Sequence, residues 1–310
     1  MKAVRVHAWR EAPRLDELPD PQPRAGHAIV RMQAASVGHI DRTVWRGAFL
    51  RHPPLPYVPG VEGAGVVVSS ARFAPGQRVW LRGAGLGIAR DGTWCELIDA
   101  PDEALGPLPD AVPATLGAAF FSPCTSAWVA LREVAQLRAG ERVIVSGATG
   151  AVGSLAVQLA RELGAPAAAL VSDAAQAARL PAGVPALSIE QLTPQADVLI
   201  DTVGGATLAA ALHGVAPGGR AVLVGYTGGT TVELDLPQLL QRDVALLPLN
   251  MLRREAAGRA AAPGLLERLA RGSLTLAVQP FALHEAAQAL AWIATRGHRG
   301  RAVLTPSAPA

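Results

Sequence analysis

The chain has 310 residues, of which half are hydrophobic and 17% are charged, with a formal net charge of +3. This balance is typical of a compact globular protein of about two domains and excludes a disordered chain. Lys2 is the only lysine, and the arginines are scattered without interleaved aromatic residues. A nucleic-acid-binding surface is therefore not expected.

The sequence also argues against membrane spans and disulfide frameworks. No apolar run approaches the roughly 18 residues that a membrane span requires, and the segment MKAVRVHAW lacks the hydrophobic region of a secretory signal. We expect a cytoplasmic protein without a membrane partner. Two cysteines, Cys95 and Cys124, cannot form a disulfide framework or a four-thiolate zinc site. Cys124 is interpreted as a small buried residue.

Short strands separated by turn signals are predicted for the first third of the chain. Alternating hydrophobicity predicts strands at 4–6, 28–32, 63–68, 78–81 and 94–97. Strands at this spacing favour an all-β, barrel-like unit. After Pro113 an Ala- and Leu-rich segment, 114–138, has helical spacing.

Strands and helices then alternate, which indicates a parallel sheet with helices on both faces. Strands are predicted at 143–145, 167–171, 198–200, 221–224 and 246–249, with helices after the first of them and at 173–180 and 206–213. A helix at 264–270, a strand at 276–278, a helix at 284–295 and a strand at 301–304 complete the chain.

The most informative stretch is VIVSGATGAVGSLAVQLARELG, residues 143–164. A β-branched run enters a turn with Gly147, Gly150 and Gly153, and a helical pattern follows that ends at Gly164. Glycine lets a backbone approach a diphosphate, and a helix N-terminus offers unpaired N–H groups. We predict a dinucleotide site here, with a plain packing unit as the alternative. The residues expected to contact the cofactor are Thr149, Gly150, Ala151, Val152 and Gly153.

Six segments in order resemble the medium-chain dehydrogenase/reductase superfamily. They are PYVPGVEGAGVVV (56–68), FAPGQRVW (73–80), LRAGERVIVSGATGAVG (137–153), ADVLIDTVGG (196–205), PGGRAVLVG (217–225) and HRGRAVL (298–304). The resemblance implies an α/β protein with a GroES-like β-barrel domain plus a doubly wound, parallel-sheet Rossmann domain. It implies a substrate domain at 1–112, completed by about 258–310, and a dinucleotide-binding domain at 113–257.

The same resemblance predicts a member without metal. Zinc alcohol dehydrogenases of this superfamily carry three ligands at positions that here are Gly38, Val61 and about Ser122. Glu62 alone cannot hold a zinc ion. The chain is most similar to the quinone-oxidoreductase branch, through ASVGHIDRTVWRG (35–47). Hydride transfer to a quinone or to an α,β-unsaturated carbonyl compound is then expected, because such small-molecule substrates spread the developing negative charge.

Polar residues near this segment are candidates for acceptor chemistry. His39 is predicted to donate a proton or a hydrogen bond near neutral pH, with a structural loop histidine as the alternative. Thr43 and Tyr57 are further candidate hydrogen-bond donors. Asp41 is interpreted as a turn-capping residue, and Glu62 as a buried carboxylate paired with an arginine.

The family register also bears on the choice of nicotinamide cofactor. The acid that binds the ribose of NAD would fall near Val171, which is apolar, and Ser172 tolerates a 2′-phosphate. Asp173 would repel that phosphate if it pointed inward. We favour NADPH, with NADH as the alternative. Further residues expected to bind the cofactor are Ser126, Thr202, Val203 and Gly225, besides Ser172 and Asp173.

Other functions are kept open. The quinone-oxidoreductase branch often has Asn and Tyr at positions that are Gly38 and Thr43 here, so a cofactor-binding protein with little catalysis is one alternative. An enoyl-thioester reductase is another, with Arg42, Arg46 and Arg51 as a basic entry groove. RNA binding is the weakest alternative. An exposed strand near 245–249 predicts a homodimer.

Overall fold

The computed structural model describes residues 1–49, 52–295 and 297–306. The chain forms two compact units, one of Met1–Phe121 with Ala277–Ala310 and one of Ser122–Leu276. The borders between the two units lie later in the chain than the domain boundaries expected after residues 112 and 257. The helix Ala114–Ala119 packs on strands of the first unit, and an Arg268–Glu162 ion pair of 2.7 Å holds the helix Glu255–Ala270 in the second.

The first unit, called the barrel unit below, is mainly β-structure. Its strands are β1 (Lys2–Arg5), β2 (Arg14–Glu17), β3 (His27–Val37), β4 (Glu62–Ser69), β5 (Arg78–Arg82), β6 (Leu97–Pro101), β7 (Leu105–Pro107), β14 (Val278–Ala282) and β15 (Arg301–Thr305). Its helices are α1 (His39–Trp45), α2 (Ala114–Ala119) and α9 (Ala286–Trp292).

The long strand β3 organises the barrel unit. The main sheet has the order β14-β15-β3-β4-β5-β7, and β6 also pairs with β3. β3 is antiparallel to β4, β6 and β15, while β14 and β15 are parallel. The backbones of β3 and β4 approach closely, since a Cβ on Gly65 would lie 2.2 Å from the carbonyl oxygen of Arg31. β15, near the C-terminus, pairs with β3 and so joins the sheet that the N-terminal strands form.

Two predicted strands are displaced: the strand expected at 276–278 begins at Val278, and packing explains the displacement of the other. Residues 94–97 were expected to form a strand, but β6 begins at Leu97. Trp94 is fully buried, and its indole Nε1 donates a hydrogen bond to the carbonyl oxygen of Ser36 at 2.9 Å. The largest side chain of this segment therefore enters the core from a turn.

The second unit, called the nucleotide unit below, alternates strands and helices. Its strands are β8 (Val143–Ser146), β9 (Ala167–Leu170), β10 (Ala186–Leu187), β11 (Ala196–Asp201), β12 (Val215–Leu223) and β13 (Ala245–Pro248). Its helices are α3 (Phe121–Val129), α4 (Ala151–Glu162), α5 (Ala174–Ala177), α6 (Gly205–Ala211), α7 (Leu236–Gln241) and α8 (Glu255–Ala270).

The six strands of the nucleotide unit form one parallel sheet of order β10-β9-β8-β11-β12-β13. Counted from β8, this is the order 3-2-1-4-5-6 of a doubly wound dinucleotide-binding fold. The prediction of a parallel sheet is confirmed. The strand order reverses at β8 and β11, and ligands of such folds bind outside the carboxyl ends of strands at that point.

Two predicted helices depart furthest from their expected bounds. The segment 114–138 is broken into α2, α3 and a π-helical turn at Ala130–Val134, and Pro123 in its middle has no N–H to continue a helix. α8 begins at Glu255, earlier than expected, and contains Pro263 in its interior. Among the described residues, none of the helices combines the length and the apolar character needed to cross a bilayer.

Candidate functional site

The glycine turn lies at the switch point of the nucleotide unit. β8 ends at Ser146, Gly147 takes the left-handed conformation with φ +61°, and the N–H of Gly150 closes the turn on the Gly147 carbonyl at 2.9 Å. Gly150 is the N-cap of α4, and no side chain caps this helix end. The first turn of α4 also contains no acidic residue. An uncapped helix N-terminus of this kind is suited to a phosphate group.

The first turn of α4 is pressed against the glycine turn. A Cβ placed on Gly153 would lie 2.2 Å from the carbonyl oxygen of Gly147 and 2.7 Å from its carbonyl carbon. Both are backbone atoms, so no rotamer change makes room for a side chain. Thr149, Ala151 and Val152 are half-buried around this contact. The close approach leaves a backbone surface that a diphosphate can contact, which is the fit expected of a dinucleotide site.

A buried hydrogen-bond network joins β8 to β11 beneath the turn. Asp201 is fully buried; it accepts hydrogen bonds from the Ser146 hydroxyl and from the N–H of Gly204 at 2.8 Å. The Thr202 hydroxyl donates to the Ser146 carbonyl oxygen at 2.9 Å. Burial raises the pKa of Asp201, and the hydrogen bond from Ser146 opposes this rise. Asp201 therefore holds the ends of β8 and β11 together.

The predicted residues after β11 and β12 lie at the same place. A Cβ on Gly147 would lie 2.4 Å from the Thr202 hydroxyl and 2.9 Å from a methyl group of Val203. A Cβ on Gly225 would lie 2.5 Å from the Thr202 carbonyl oxygen. Thr202, Val203 and Gly225 are therefore brought together at the glycine turn. Ser126 lies half-buried on α3.

The residues that follow β9 are hydrogen-bonded to one another. Val171 is buried, and Asp173 caps α5 by accepting the N–H of Gln176 at 2.8 Å. The Ser172 hydroxyl donates to the Asp173 carboxylate at 2.9 Å and accepts from Gln176 Nε2 at 2.8 Å. The backbone hydrogen bond from Gln176, with that from Ser172, lowers the pKa of Asp173. A permanent negative charge therefore lies beside Ser172.

The barrel unit contains a second, buried polar cluster around Glu62. Glu62 is 1% exposed, and its Oε2 accepts hydrogen bonds from Arg301 Nη2 at 2.8 Å and from the Ser36 hydroxyl at 3.2 Å. Arg82 Nε lies 3.4 Å from the other oxygen, Oε1. The structure thus shows the expected buried carboxylate paired with arginine, although with two arginines.

Asp41 fixes the loop next to this cluster. Its carboxylate accepts the N–H of Gly38 at 2.7 Å and the N–H of Val61 at 3.0 Å, which joins the start of α1 to the segment before β4. Burial raises the pKa of Asp41 to about 6, and these hydrogen bonds and Arg301 oppose the rise. This geometry agrees with its interpretation as a capping residue.

The three predicted catalytic residues have different surroundings. His39 is exposed at the start of α1. Desolvation, and then the positive charges of Arg301, His298 and Arg42, lower the pKa of its imidazole to about 4. At neutral pH His39 is therefore uncharged, which leaves the hydrogen-bond role of the two roles expected for it. The Thr43 hydroxyl donates to the His39 carbonyl oxygen at 2.8 Å, so its single hydrogen is used within α1.

Tyr57 lies in a small core cluster of the barrel unit. It is 1% exposed and packs with Val6, Val44 and Val61, and its ring centroid is 5.8 Å from that of Trp9. Its hydroxyl is buried and has no hydrogen-bond partner among the described residues. Burial, and then the charge of Asp41, raise the pKa of Tyr57, so it remains a neutral phenol.

The residues of the barrel unit do not fit a zinc ion. Gly38 and Val61 offer no ligating atom, and no group of three or more His, Cys, Asp or Glu residues within 1–49, 52–295 and 297–306 could hold a metal. A Cβ on Gly38 would lie 2.6 Å from Arg301 Nη1. A guanidinium therefore occupies the space into which a side chain at position 38 would project. Cys95 and Cys124 are both buried.

Several site residues were missed by the sequence analysis. Ser36, Arg82 and Arg301 were not singled out, because they meet Glu62 only through strand pairing and the return of the C-terminus. Ser146 was missed in the same way. The segment HRGRAVL offered the one available signal, since it follows the order of the other matched segments. Of the predicted basic groove, Arg42 lies on α1, Arg46 follows it, and Arg51 lies outside the described residues.

Comparison with known proteins agrees with both units. Residues 24–110 match the family model of the alcohol dehydrogenase GroES-like domain, and residues 170–304 match that of zinc-binding dehydrogenases. A quinone oxidoreductase of Mus musculus is 27% identical over 273 residues, which cover 81% of this chain and 80% of the relative.

Solved structures of quinone oxidoreductases superpose along nearly the whole chain. The enzyme of Thermus thermophilus, whose structures include a complex with NADPH, has 30% identity and a TM-score of 0.82 over 98% of this chain and 100% of its own. That of Pseudomonas syringae has 27% identity and a TM-score of 0.86 over 98% and 99%.

A GroES-like barrel together with a doubly wound nucleotide sheet defines an oxidoreductase of the nicotinamide-dependent dehydrogenase type. The chain belongs to the medium-chain dehydrogenase/reductase superfamily, as a quinone oxidoreductase-like member, and the resemblance found in the sequence is confirmed.

Proposed function

We propose that this protein is an NADPH-dependent, zinc-independent reductase of quinones or of alkenes conjugated to a carbonyl group. The observation that carries the proposal is the uncapped N-terminus of α4, packed on Gly147 through Gly153 at the switch point of the sheet. In the barrel unit, glycine and valine stand at two positions where a zinc enzyme has ligands, and the guanidinium of Arg301 fills the space beside the glycine.

The roles of the chain's residues follow from these contacts. A bound, reduced nicotinamide cofactor supplies a hydride. The N–H groups of Ala151, Val152 and Gly153 hold its diphosphate, Thr202, Val203 and Gly225 lie along its adenosine side, and Ser126 contacts the nicotinamide ribose. Ser146 and Asp201 keep the strand ends in place. The protein thereby positions the reactants, which is a large part of catalysis when no covalent step is needed.

The absence of suitable zinc ligands narrows the acceptor. A metal ion stabilises the alkoxide that a simple ketone or alcohol requires. Without such ligands, an acceptor that delocalises negative charge over a conjugated system is favoured. Quinones and α,β-unsaturated carbonyl compounds meet this condition.

NADPH is proposed over NADH because Val171 is apolar and no acid takes the ribose-binding position. The Asp173 carboxylate opposes this preference, although its oxygens are engaged by Gln176 and Ser172. Ser172 and Asp173 are thus the residues that set cofactor preference. A thermal-shift comparison of NADPH with NADH measures it directly.

The experiment for the activity is an acceptor screen. Purified protein is mixed with NADPH and a panel of quinones and enones, and loss of the near-ultraviolet absorbance of the reduced cofactor is recorded. We expect turnover with several acceptors and none with simple ketones. Turnover of ketones that survives a chelator would contradict the acceptor class, and no turnover with any acceptor would contradict the activity.

A nicotinamide-binding protein with little catalysis is the second candidate. The neutral His39 and the engaged Thr43 hydroxyl favour it, because both leave few proton donors beside Gly38. Tight cofactor binding without oxidation by any acceptor would support this candidate.

We further propose a homodimer formed through β13. This strand lies at the edge of the parallel sheet, Ala245 on it is exposed, and the nearby Leu240 and Leu252 are 77% and 62% exposed. An edge strand offers unpaired backbone groups that a second copy can complete across a two-fold axis.

A further inference from the structure

A cavity of about 400 Å³ lies at the amino ends of the strands of the nucleotide unit. Its floor includes the first residues of three adjacent strands, Val143 of β8, Ala167 of β9 and Ala196 of β11, together with Ile144. These four residues are at most 6% exposed, and all their side chains are apolar. Sites for small organic molecules have volumes of this order and are mostly apolar, with a few polar groups that fix the ligand.

Two arginines supply the charged groups of this cavity. Arg142 directly precedes β8, Arg161 lies in the last turn of α4, and both are exposed residues of the lining. Arg142 Nη1 donates a hydrogen bond to Gln195 Oε1 at 3.2 Å, and Arg161 Nη1 donates one to the carbonyl oxygen of Ala182 at 3.3 Å. Both acceptors are neutral, so each guanidinium keeps its full charge and most of its five N–H groups.

The neighbouring acids are engaged by other groups. Asp197 accepts the backbone N–H of Arg142 at 2.7 Å and not its guanidinium, and Glu162, next to Arg161 in the chain, pairs with Arg268 at 2.7 Å. Within the part of the chain that the structure describes, no carboxylate forms an ion pair with either lining arginine. An anionic group at the opening of the cavity would therefore meet two positive charges that the protein itself does not pair.

The lining also favours a flat, apolar ligand body. Pro166 and Pro185 line the cavity beside the alanines of β9, and none of these residues has a polar side chain. A guanidinium group can stack on an aromatic ring, and it can bind a carboxylate through two parallel hydrogen bonds. An aromatic ring that carries one carboxylate matches both the apolar floor and the two arginines.

We propose that this cavity is a binding site for an aromatic monocarboxylate, whose ring lies on the apolar floor and whose carboxylate is bound by Arg142 and Arg161. The site is separate from the dinucleotide site of the same unit. The glycine turn follows the carboxyl end of β8, whereas Arg142 precedes its amino end, and four residues of a strand span about 13 Å. A ligand in the cavity therefore leaves the position of the diphosphate open.

A pair of probes tests the requirement for a negative charge. Fluorine NMR measures the binding of 4-(trifluoromethyl)benzoate and of the uncharged 4-(trifluoromethyl)benzamide to the intact protein. With about 13 non-hydrogen atoms, the benzoate should bind with a Kd of roughly 1 mM or below. The benzamide has nearly the same shape and should bind about fivefold more weakly or worse. Equal Kd values for the two probes, or no binding of the benzoate up to about 10 mM, would overturn the proposal.

Matched variants assign the charge requirement to the two arginines. Arg142→Gln and Arg161→Gln should each raise the Kd of the benzoate about three- to fivefold, as expected for the loss of an exposed ion pair, and the double variant about tenfold. Arg253 and Arg271 are exposed arginines of the same unit outside the lining, so replacing both by Gln should leave the Kd unchanged. Ala168→Leu adds bulk to the lining without a change of charge and should weaken both probes. A folded double variant that binds the benzoate like the parent would refute the site.

Amide NMR spectra of isotope-labelled protein locate the bound probe. Saturating benzoate should shift the amide resonances of Val143 and Ala167, at the amino ends of β8 and β9, and leave those of Gly150 and Gly153 in place. Spectra in which Val143 and Ala167 do not respond would put the probe elsewhere and overturn the proposal. Neither measurement needs NADPH or turnover, so the outcome is independent of the proposed reductase function.

Discussion

Substitution of Gly153 by alanine tests the close backbone approach at the dinucleotide site, because this approach decides whether the free energy of unfolding falls or rises. The new Cβ would lie 2.2 Å from the Gly147 carbonyl oxygen, whereas non-bonded heavy atoms are best separated by roughly 3.5–4.0 Å. The turn and α4 must therefore move apart by more than about 1 Å. Overpacking of this kind typically costs about 1–3 kcal/mol.

Helix propensity acts in the opposite direction. Alanine is more favourable than glycine inside a helix by up to about 1 kcal/mol, so a glycine without close neighbours should gain stability on substitution. For Gly153→Ala the net result should be a destabilisation of about 1–2 kcal/mol. The same displacement should lower the affinity for NADPH at least tenfold (about 1.4 kcal/mol), because the backbone N–H groups no longer face the diphosphate.

Gly264 on α8 provides the matched control. A Cβ there would meet only the end of the Arg268 side chain, at 3.3 Å, and that chain can move. Gly264→Ala should therefore stabilise the protein slightly and leave NADPH binding unchanged. Urea unfolding and the quenching or enhancement of NADPH fluorescence measure the two quantities. A stabilised Gly153→Ala variant that still binds NADPH normally would refute the close-approach reasoning.

Three further predictions concern single residues. Asp173→Asn keeps a capping side chain for α5 but removes the negative charge beside Ser172. The Kd for NADPH should therefore fall severalfold, while the Kd for NADH changes little. Equal changes in both Kd values would contradict the placement of Ser172 and Asp173 at the 2′-phosphate. Burial raises the pKa of Asp41 from 3.8 to about 6, so between these pH values the native state keeps a proton that the unfolded state releases. The free energy of unfolding should therefore fall by roughly 2–3 kcal/mol as the pH rises through this interval. In parallel urea titrations this fall should be absent from Asp41→Asn, and the same dependence of unfolding free energy on pH in both proteins would refute the prediction. Ala245→Lys should convert the proposed dimer to a monomer in sedimentation experiments, because a lysine on an edge strand discourages pairing; an unchanged mass would place any interface elsewhere.

The secondary structure of the nucleotide unit was largely predictable because its signals are local. The β-branched run at 143–145 and the glycines after it predicted β8, the turn and α4, and Gly164 ends the helix region with φ +78°. The alternation of strands and helices predicted the parallel sheet. The observed elements differ from the predicted ones where proline or tertiary packing determines the backbone. The predicted helix is broken near Pro123, and the burial of Trp94 takes its segment out of the predicted strand.

The cofactor side of the site was also accessible from the sequence, since Gly147, Gly153, Thr202 and Gly225 follow strands whose carboxyl ends must meet in a parallel sheet. The acceptor side was less accessible. His39 and Thr43 both lie in the segment that was singled out. Desolvation, neighbouring charges and a helix carbonyl nevertheless decide their protonation and hydrogen bonding.

The sequence alone determined the family, the two kinds of domain and the position of the diphosphate turn, because each depends on contiguous residues with a distinct pattern. Only the tertiary structure placed Arg301 against Glu62 and Gly38. Those residues are separated by most of the chain, and they meet because β15 pairs with β3. Their mutual distances arise from strand pairing and burial, which no local pattern of residues encodes.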